Sequence, residues 1–194
     1  RHYVEHILPN HLKAQVVAYS RLAAIRYQAA LVAARDKLVK EAEALDDAQR
    51  ALDDEALADE TRKVRAAVRA ARHLDLLKTL EFATVISPKH NDPDEYAEWS
   101  DASEIDTYIE RFKKRLVHSD PTKQDRLAFL CVKSMLLTGF DAPVEGVMYL
   151  DRSIREAELL QAIARVNRTD TPQKTAGIVV DYYGVGNHLT EALA

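Results

Sequence analysis

The sequence predicts an α/β fold in which helices flank a parallel β-sheet, with a charged helical hairpin inserted after the first strand. Three observations lead to this prediction. Short runs that are apolar on both faces alternate with helical segments, which is typical of strands in a buried parallel sheet. All five glycines lie at or after Gly139, so long helices and capped turns must build most of the chain. One long charged segment separates the first two apolar runs, where a helical hairpin fits.

Five apolar runs have the length of strands, and two amphipathic segments have the spacing of helices. Ser20 stands directly after the first run, where its hydroxyl can cap the helix that follows. The two helices are predicted near Glu104–Leu116 and over Glu156–Val166, with apolar residues recurring along one side. The strands are predicted at Ala14–Tyr19, Ala83–Ser87, Leu127–Val132, Gly146–Leu150 and Gly177–Tyr182.

Residues 21–80 contain no glycine or proline and are rich in alanine, leucine, lysine, arginine and glutamate. That composition favours helix, but a single helix of about sixty residues would be about 90 Å long. We therefore expect a break near Leu52–Asp59 and an antiparallel return. The charged residues of Glu41–Glu60 are acidic except for Arg50, whereas Arg62–Lys78 carries six bases and one acid. The two arms can therefore pair opposite charges. The same charges can also serve as solvated faces, or as a contact for a partner protein or DNA.

The composition excludes several classes of function. The apolar content of 47% is enough for a core, while the net charge of −4 argues against holding nucleic acid through bulk positive charge. Cys131 is the only cysteine, which excludes a disulfide framework and a cysteine metal site, and the histidines show no metal-ligand spacing. No membrane-spanning stretch or signal peptide is visible, so we expect a cytoplasmic protein without a membrane partner. Because the chain begins with Arg1 rather than methionine, we expect it to be part of a longer protein.

The first segment with candidate chemistry is Met135–Pro143, which reads M-L-L-T-G-F-D-A-P. It ends with small and acidic groups suited to a nucleotide or a phosphate backbone, at Thr138, Gly139 and Asp141. In an open parallel sheet, ligands collect outside the carboxyl ends of the strands, and this segment follows such a strand. Asp151 and Asp181 stand at the ends of later strands. We therefore expect all these groups to form one edge of a site.

The second segment is Leu159–Arg168, L-L-Q-A-I-A-R-V-N-R, on the predicted helix between the last two strands. Arg165 and Arg168 are three residues apart and so share a helix face, and Gln161 opens the same motif. We expect this helix to bring its arginines to the same edge of the sheet. The chain has no Gly-x-x-x-x-Gly-Lys-Ser/Thr phosphate loop, so by itself it should neither bind ATP tightly nor hydrolyse it.

Together the two segments resemble motifs V and VI of superfamily 2 helicases and translocases, whose motor consists of two RecA-like domains with ATP in the cleft. The amino-acid sequences of three segments resemble those of a narrower group, the R (motor) subunits of type I restriction-modification enzymes. These segments are Leu136–Pro143, Leu160–Arg168 and Gly177–Tyr182. Val16–Arg21, V-V-A-Y-S-R, resembles motif IV at the first strand of the second RecA-like domain. These matches follow one another along the chain in the family's order.

The resemblance implies a role for each matched residue. Arg168 matches the last arginine of motif VI, an arginine finger that contacts the γ-phosphate of ATP. Arg165 matches the earlier arginine, also expected at the phosphates, and Gln161 matches a polar residue expected at the nucleotide. Gly139 and Asp141 match motif V, which links the nucleotide to the DNA track. Three further residues are expected to contact DNA: Thr138, Ser20 and Arg21.

The resemblance also implies the organisation of the protein and its partners. Residues 14–183 would form the second RecA-like domain, with a helical insertion at about 36–80, a linker at 1–13 and the start of a following segment at 184–194. ATP and Mg²⁺ would be cofactors of the intact subunit, neither bound tightly by this chain. The expected partners are duplex DNA, the preceding RecA-like and nuclease domains, and methylation and specificity subunits, in a bacterial or archaeal cytoplasm. The intact enzyme would be an ATP-dependent, site-specific deoxyribonuclease, and the isolated chain would be inactive.

Two other functions stay open at this point. The chain can be the motor half of another superfamily 2 helicase or remodeller, which residues upstream would distinguish. It can also be a non-enzymatic interaction module whose charged hairpin binds a partner protein. Without their flanking motifs, Arg165 and Arg168 would be ordinary surface arginines, and Asp141 would be a turn cap before Pro143.

Overall fold

Five parallel strands form one sheet at the centre of the computed structural model, which describes residues 1–137, 139–154, 156–168 and 174–184. The strands are β1 (Lys13–Ala18), β2 (Glu81–Val85), β3 (Leu127–Val132), β4 (Glu145–Asp151) and β5 (Ile178–Asp181). Across the sheet they follow the order β2-β3-β1-β4-β5, with every pair of neighbours parallel. The helices are α1 (Arg21–Glu43), α2 (Asp47–Arg50), α3 (Asp54–Ala58), α4 (Arg62–Ala71), α5 (Leu74–Thr79), α6 (Ala97–Ser100), α7 (Ala102–Lys113) and α8 (Glu156–Val166).

The predicted α/β fold is confirmed. All five apolar runs are strands, with Leu127–Val132 correct at both ends and the others shifted by at most two residues. Both predicted amphipathic helices are present as α7 and α8. The central strands β1, β3 and β4 are buried along almost their whole length because helices cover the sheet on both faces. No helix in the described ranges is long and apolar enough to cross a membrane.

The charged segment forms the predicted hairpin, but it reverses earlier than expected. Helix α1 begins with the Ser20 hydroxyl accepting a hydrogen bond from the Ala23 amide at 3.0 Å, and it ends at Glu43 rather than near residue 52. The reversal consists of α2 and α3, each with an aspartate at its N-cap, Asp46 and Asp53. These caps explain the difference, because an aspartate that satisfies the first amides of a new helix stops the preceding one.

The two arms of the hairpin pair opposite charges as predicted. Lys78 lies 2.7 Å from Glu43 and Arg72 lies 2.8 Å from Asp54. These partners are solvent-exposed, and such pairs contribute little to stability. The buried small residues of α1 and α4, Ala42, Ala66 and Ala70 among them, allow the helices to pack closely. Apolar packing therefore stabilises the hairpin more than its ion pairs do.

The first residues of the chain pack on the same face of the sheet as α1 and α4. Tyr3, Ile7 and Leu8 are buried there, and the Tyr3 hydroxyl donates a hydrogen bond to the Leu12 carbonyl at 2.8 Å. The core on this side thus includes residues assigned from the sequence to a linker at 1–13. That domain boundary stays a prediction.

The connection between β3 and β4 carries the first candidate segment across the sheet. Because β1 lies between these parallel strands, residues 133–144 must pass β1 while running from the carboxyl end of β3 to the amino end of β4. Leu137, Phe140 and Val144 are buried in the same apolar cluster as α7 and α8. The connection therefore lies along the α7/α8 face of the sheet.

Candidate nucleotide-facing site

Arg165 joins α8 to the connection between β3 and β4. Its side chain is 9% exposed, its guanidinium donates a hydrogen bond to the Leu136 carbonyl, and it lies 5.9 Å from the centre of the Phe140 ring. Burial lowers the pKa of Arg165, and the negative charge of nearby Glu145 opposes that shift. A guanidinium stays charged under these conditions and can keep both contacts. Arg165 therefore ties the two candidate segments together within the domain.

Arg168 lies in a different environment one turn further along the chain. Its guanidinium Nη1 lies 2.7 Å from Asp141 Oδ1, and both side chains are 58% exposed. An ion pair with this exposure contributes about 0.2–1 kcal/mol, because water solvates the separated charges well. The Arg168 guanidinium can therefore exchange its carboxylate for another anion at small cost.

The backbone on each side of this exposed pair is held firmly. The Asn167 side chain accepts a hydrogen bond from the Gly177 amide at 3.1 Å, and a Cβ at Gly177 would approach the Val166 carbonyl oxygen to 2.2 Å. Just after Asp141, the buried Lys174 ammonium donates a hydrogen bond to the Pro143 carbonyl at 2.9 Å. The end of α8 and the end of the connection are thus both anchored.

The position of α8 corrects one prediction from the sequence. The close approach of Gly177 and Val166 places the end of α8 beside the start of β5, on the amino side of the sheet. The expectation that α8 brings its arginines to the carboxyl edge, with Asp151 and Asp181, is therefore wrong. A crossover helix runs antiparallel to the strands it connects, so its last residues lie near their amino ends. Asp141 meets Arg168 there because its own connection also ends at the amino end of β4.

Of the other predicted nucleotide contacts, Gly139 lies beside Asp141 and Gln161 lies earlier on α8. Gln161 and Gly139 are both exposed, and Gly139 has a φ of +70°, a conformation that side chains disfavour. Thr138 lies outside the described residues. A cavity of about 480 Å³ opens beside Asp141, and it is lined by Ile109, Lys113, Leu136, Gly139, Phe140 and Asp141. An external ligand can reach this cavity directly.

The carboxyl edge of the sheet holds the residues assigned to motif IV. Arg21 is 8% exposed and forms a two-pronged ion pair with Asp92, with 2.6 Å between Nη1 and Oδ1. Its guanidinium also lies 5.0 Å from the centre of the Tyr96 ring, while the Ser20 side chain caps α1. Both predicted DNA contacts thus have partners inside the domain, and their role toward DNA stays a prediction.

The strand-end aspartates of this edge also have internal partners. The Tyr27 hydroxyl donates a hydrogen bond to Asp151 at 2.6 Å, and burial, together with this bond, raises the pKa of Tyr27. Asp181 accepts hydrogen bonds from the Tyr183 and Gly184 amides at 2.8 and 2.9 Å. These contacts shape the turns after β4 and β5.

Sequence reasoning missed a set of buried charged residues at the amino ends of the strands. Lys13 and Glu145 are fully buried register partners on β1 and β4. Burial lowers the pKa of Lys13 to about 7 and raises that of Glu145 to about 8, the latter against the positive charges of Arg165 and Lys174. The available signal was a charged residue directly before each of the two apolar runs that form β1 and β4. In the ranges that the structure describes, no group of His, Cys, Asp or Glu could hold a metal ion.

Comparison with known proteins gives consistent matches. The family model described as type I restriction enzyme subunit R domain 3 matches residues 79–184. The putative type I restriction enzyme MjaVIIP endonuclease subunit of Methanocaldococcus jannaschii is 34% identical over 183 residues, which is 94% of this chain and 14% of that protein. The type I restriction enzyme HindI endonuclease subunit of Haemophilus influenzae is 38% identical over 97 residues, 48% of this chain and 9% of that protein. The chain thus spans a small part of the length of each relative.

Proposed function

This chain belongs to the family of type I restriction enzyme R subunits, and we propose that it acts as the second RecA-like domain of an ATP-driven DNA translocase. In this proposal ATP binds mainly to another domain of the same subunit. Arg168 reaches across the cleft between the domains and contacts the γ-phosphate. Closure on ATP and reopening after hydrolysis move the subunit along duplex DNA.

The observation that carries this proposal is the environment of Arg168. Its side chain is 58% exposed, it stands just beyond the anchored end of α8, and its guanidinium is paired with a single exposed carboxylate. An arginine finger must be rigidly based, solvent-facing and free to exchange partners, because it acts on a phosphoryl group brought from outside. Such fingers stabilise the charge of the transferring phosphoryl group and contribute about 10³–10⁵ in rate. Only guanidinium offers a permanent charge with a forked set of donors.

Arg165 has a supporting part in the same proposal. Its guanidinium donates a hydrogen bond to the Leu136 carbonyl and lies over the Phe140 ring, so it holds motif V against motif VI. A movement of one motif is then transmitted to the other. Gly139 and Gln161 are exposed beside this joint and are proposed as further contacts of the nucleotide.

We propose that this chain meets only the phosphate end of ATP, and that the rest of the nucleotide and its metal are held elsewhere in the subunit. It has no phosphate loop, and the described residues contain no cluster of ligands for Mg²⁺. We therefore assign ATP and Mg²⁺ to the intact subunit, where the metal neutralises phosphate charge. The contribution of this chain is to position the arginine.

DNA and the remaining partners enter as parts of the proposal. Ser20 and Arg21 are proposed to face the path of the duplex from the carboxyl edge, and Thr138 is proposed as a further contact with DNA. For Arg21 this requires that a phosphate approach a guanidinium already paired with Asp92. Preceding RecA-like and nuclease domains would supply ATP binding and cleavage, and methylation and specificity subunits would complete the enzyme.

The experiment that tests the proposal is Arg168→Ala in the full-length subunit, measured by DNA-stimulated ATP hydrolysis. We expect turnover to fall by about 10³-fold or more, because the charge of the transferring group loses its partner. Arg168→Lys should recover only part of the rate, since an ammonium keeps the charge without the fork. Arg62→Ala removes an exposed arginine of α4 and is the matched control, expected to leave turnover unchanged. Near-normal turnover of Arg168→Ala would contradict the proposal.

A further inference from the structure

We propose that Asp141 holds Arg168 away from the nucleotide until the ATP-bearing domain closes, which makes Asp141 a positioning residue for the finger. This inference rests on the proposed function of Arg168. It adds a competition between two anions for one guanidinium: the Asp141 carboxylate in the open state and the γ-phosphate in the closed state.

The geometry of the pair supports such an exchange. Arg168 and Asp141 meet only through their side-chain ends, at 2.7 Å, and both are 58% exposed. The backbone of α8 is anchored by the bond between Asn167 and Gly177, and the connection is anchored just after Asp141 by Lys174. The contact can therefore break and re-form by side-chain rotation, without movement of either backbone.

The charges around the pair make the exchange specific to Arg168. Arg165, the arginine within α8, is committed to the Leu136 carbonyl and is 9% exposed. Lys113 lines the same cavity as Asp141, but its ammonium lies 2.7 Å from Glu110. A triphosphate entering this region carries more negative charge than one carboxylate, so it attracts Arg168 more strongly than Asp141 does. Closure of the ATP-bearing domain thus moves the Arg168 guanidinium from Asp141 to the γ-phosphate, and opening returns it to Asp141.

The strength of the pair predicts the size of the effect. An exposed ion pair favours the paired state by about 1.4- to 5-fold. This paired population is unproductive, since its guanidinium is turned toward the carboxylate. Removing the pair should then raise kcat/KM for ATP about two- to sixfold. A residue with only a structural role would lower activity when it is replaced, so a gain separates the two cases.

The test uses the full-length subunit with DNA and an ATP titration. Asp141→Asn should raise kcat/KM about two- to sixfold, and the same substitution in an Arg168→Ala background should change nothing further. Asp106→Asn, an exposed aspartate on α7, is the matched control and should leave kcat/KM unchanged.

Three outcomes would overturn the inference. They are a fall in kcat/KM for Asp141→Asn, no change, or a gain that persists without Arg168. If the fall in kcat/KM comes from kcat alone at constant KM, the inference is overturned in favour of a carboxylate that participates directly at the bound nucleotide. If Arg168→Ala itself turns over normally, the proposed function fails as well, so the two failures are distinguishable.

Discussion

Two arginine–aspartate pairs in this domain have the same chemistry and opposite surroundings. At the carboxyl edge, Arg21 and Asp92 are 8% and 18% exposed, with an aromatic ring beside the guanidinium. At the end of α8, Arg168 and Asp141 are each 58% exposed and meet at a single contact. The first ion pair is held together by its burial, and the second can separate in water. Burial therefore separates an arginine that is held by partners within the chain from one that is open to an external ligand.

Among the charged residues, the largest expected effect on stability concerns the buried pair. Arg21→Ala should lower the free energy of unfolding of the 194-residue chain by about 2–3 kcal/mol, because Asp92 loses both hydrogen bonds of a charged partner. The measurement is urea denaturation at neutral pH. Arg62→Ala, an exposed arginine of α4, is the control and should change stability by less than about 0.5 kcal/mol. Equal effects of the two substitutions would remove the distinction between buried and exposed arginines.

A second substitution tests whether the end of α8 is as firmly fixed as Arg168 requires. Gly177→Ala should destabilise the chain by about 1–3 kcal/mol, since the new Cβ would meet a backbone carbonyl oxygen that cannot move aside easily. Gly184→Ala is a useful contrast because no atom lies within 4 Å of its Cβ position, although its positive φ adds some strain. If Gly177→Ala is neutral, the end of α8 is not anchored as described.

The sequence identified the sheet well because burial on both faces leaves a continuous apolar run that is visible without a structure. It could not locate the Arg168–Asp141 pair, since residues 133–144 have no periodicity to show that they cross the sheet. Nor could it pair Arg21 with Asp92, which lies 71 residues away. The motif residues were found from their order along the chain. Their burial depends on long-range packing, and burial is what distinguishes the roles that we propose for them.

Acid should weaken the buried pair in a defined pH range. Hydrogen bonds from Arg21 hold the pKa of Asp92 below its usual value, so the pair stabilises the fold fully above the unfolded pKa of about 3.9. That contribution is lost as the pH falls through the lower, folded pKa. The stability difference between the parent chain and Asp92→Asn should therefore shrink below about pH 4. A difference that stays constant from pH 7 to pH 2 would show that the charge of Asp92 does not matter.

The smallest expected effect concerns the charged hairpin. Lys78→Ala removes an exposed ion pair with Glu43 and should cost less than about 1 kcal/mol in unfolding free energy. The effect should also diminish in high salt, because surface charges are screened. Leu38→Ala, within the apolar contact of the same hairpin, should cost about 2–5 kcal/mol and be insensitive to salt. A larger loss from Lys78→Ala would mean that the ion pairs, and not the packing, hold the arms together.

The most direct test of the contrast measures stability and activity for one variant, Arg168→Ala. Its exposed ion pair contributes little, so the unfolding free energy of the 194-residue chain should stay within about 1 kcal/mol of the parent. In the full-length subunit, DNA-stimulated ATP hydrolysis by the same variant should fall about 10³-fold or more. A stable chain with lost hydrolysis is the predicted result. A strongly destabilised chain together with near-normal hydrolysis would contradict the account, because Arg168 would then be a structural arginine like Arg21.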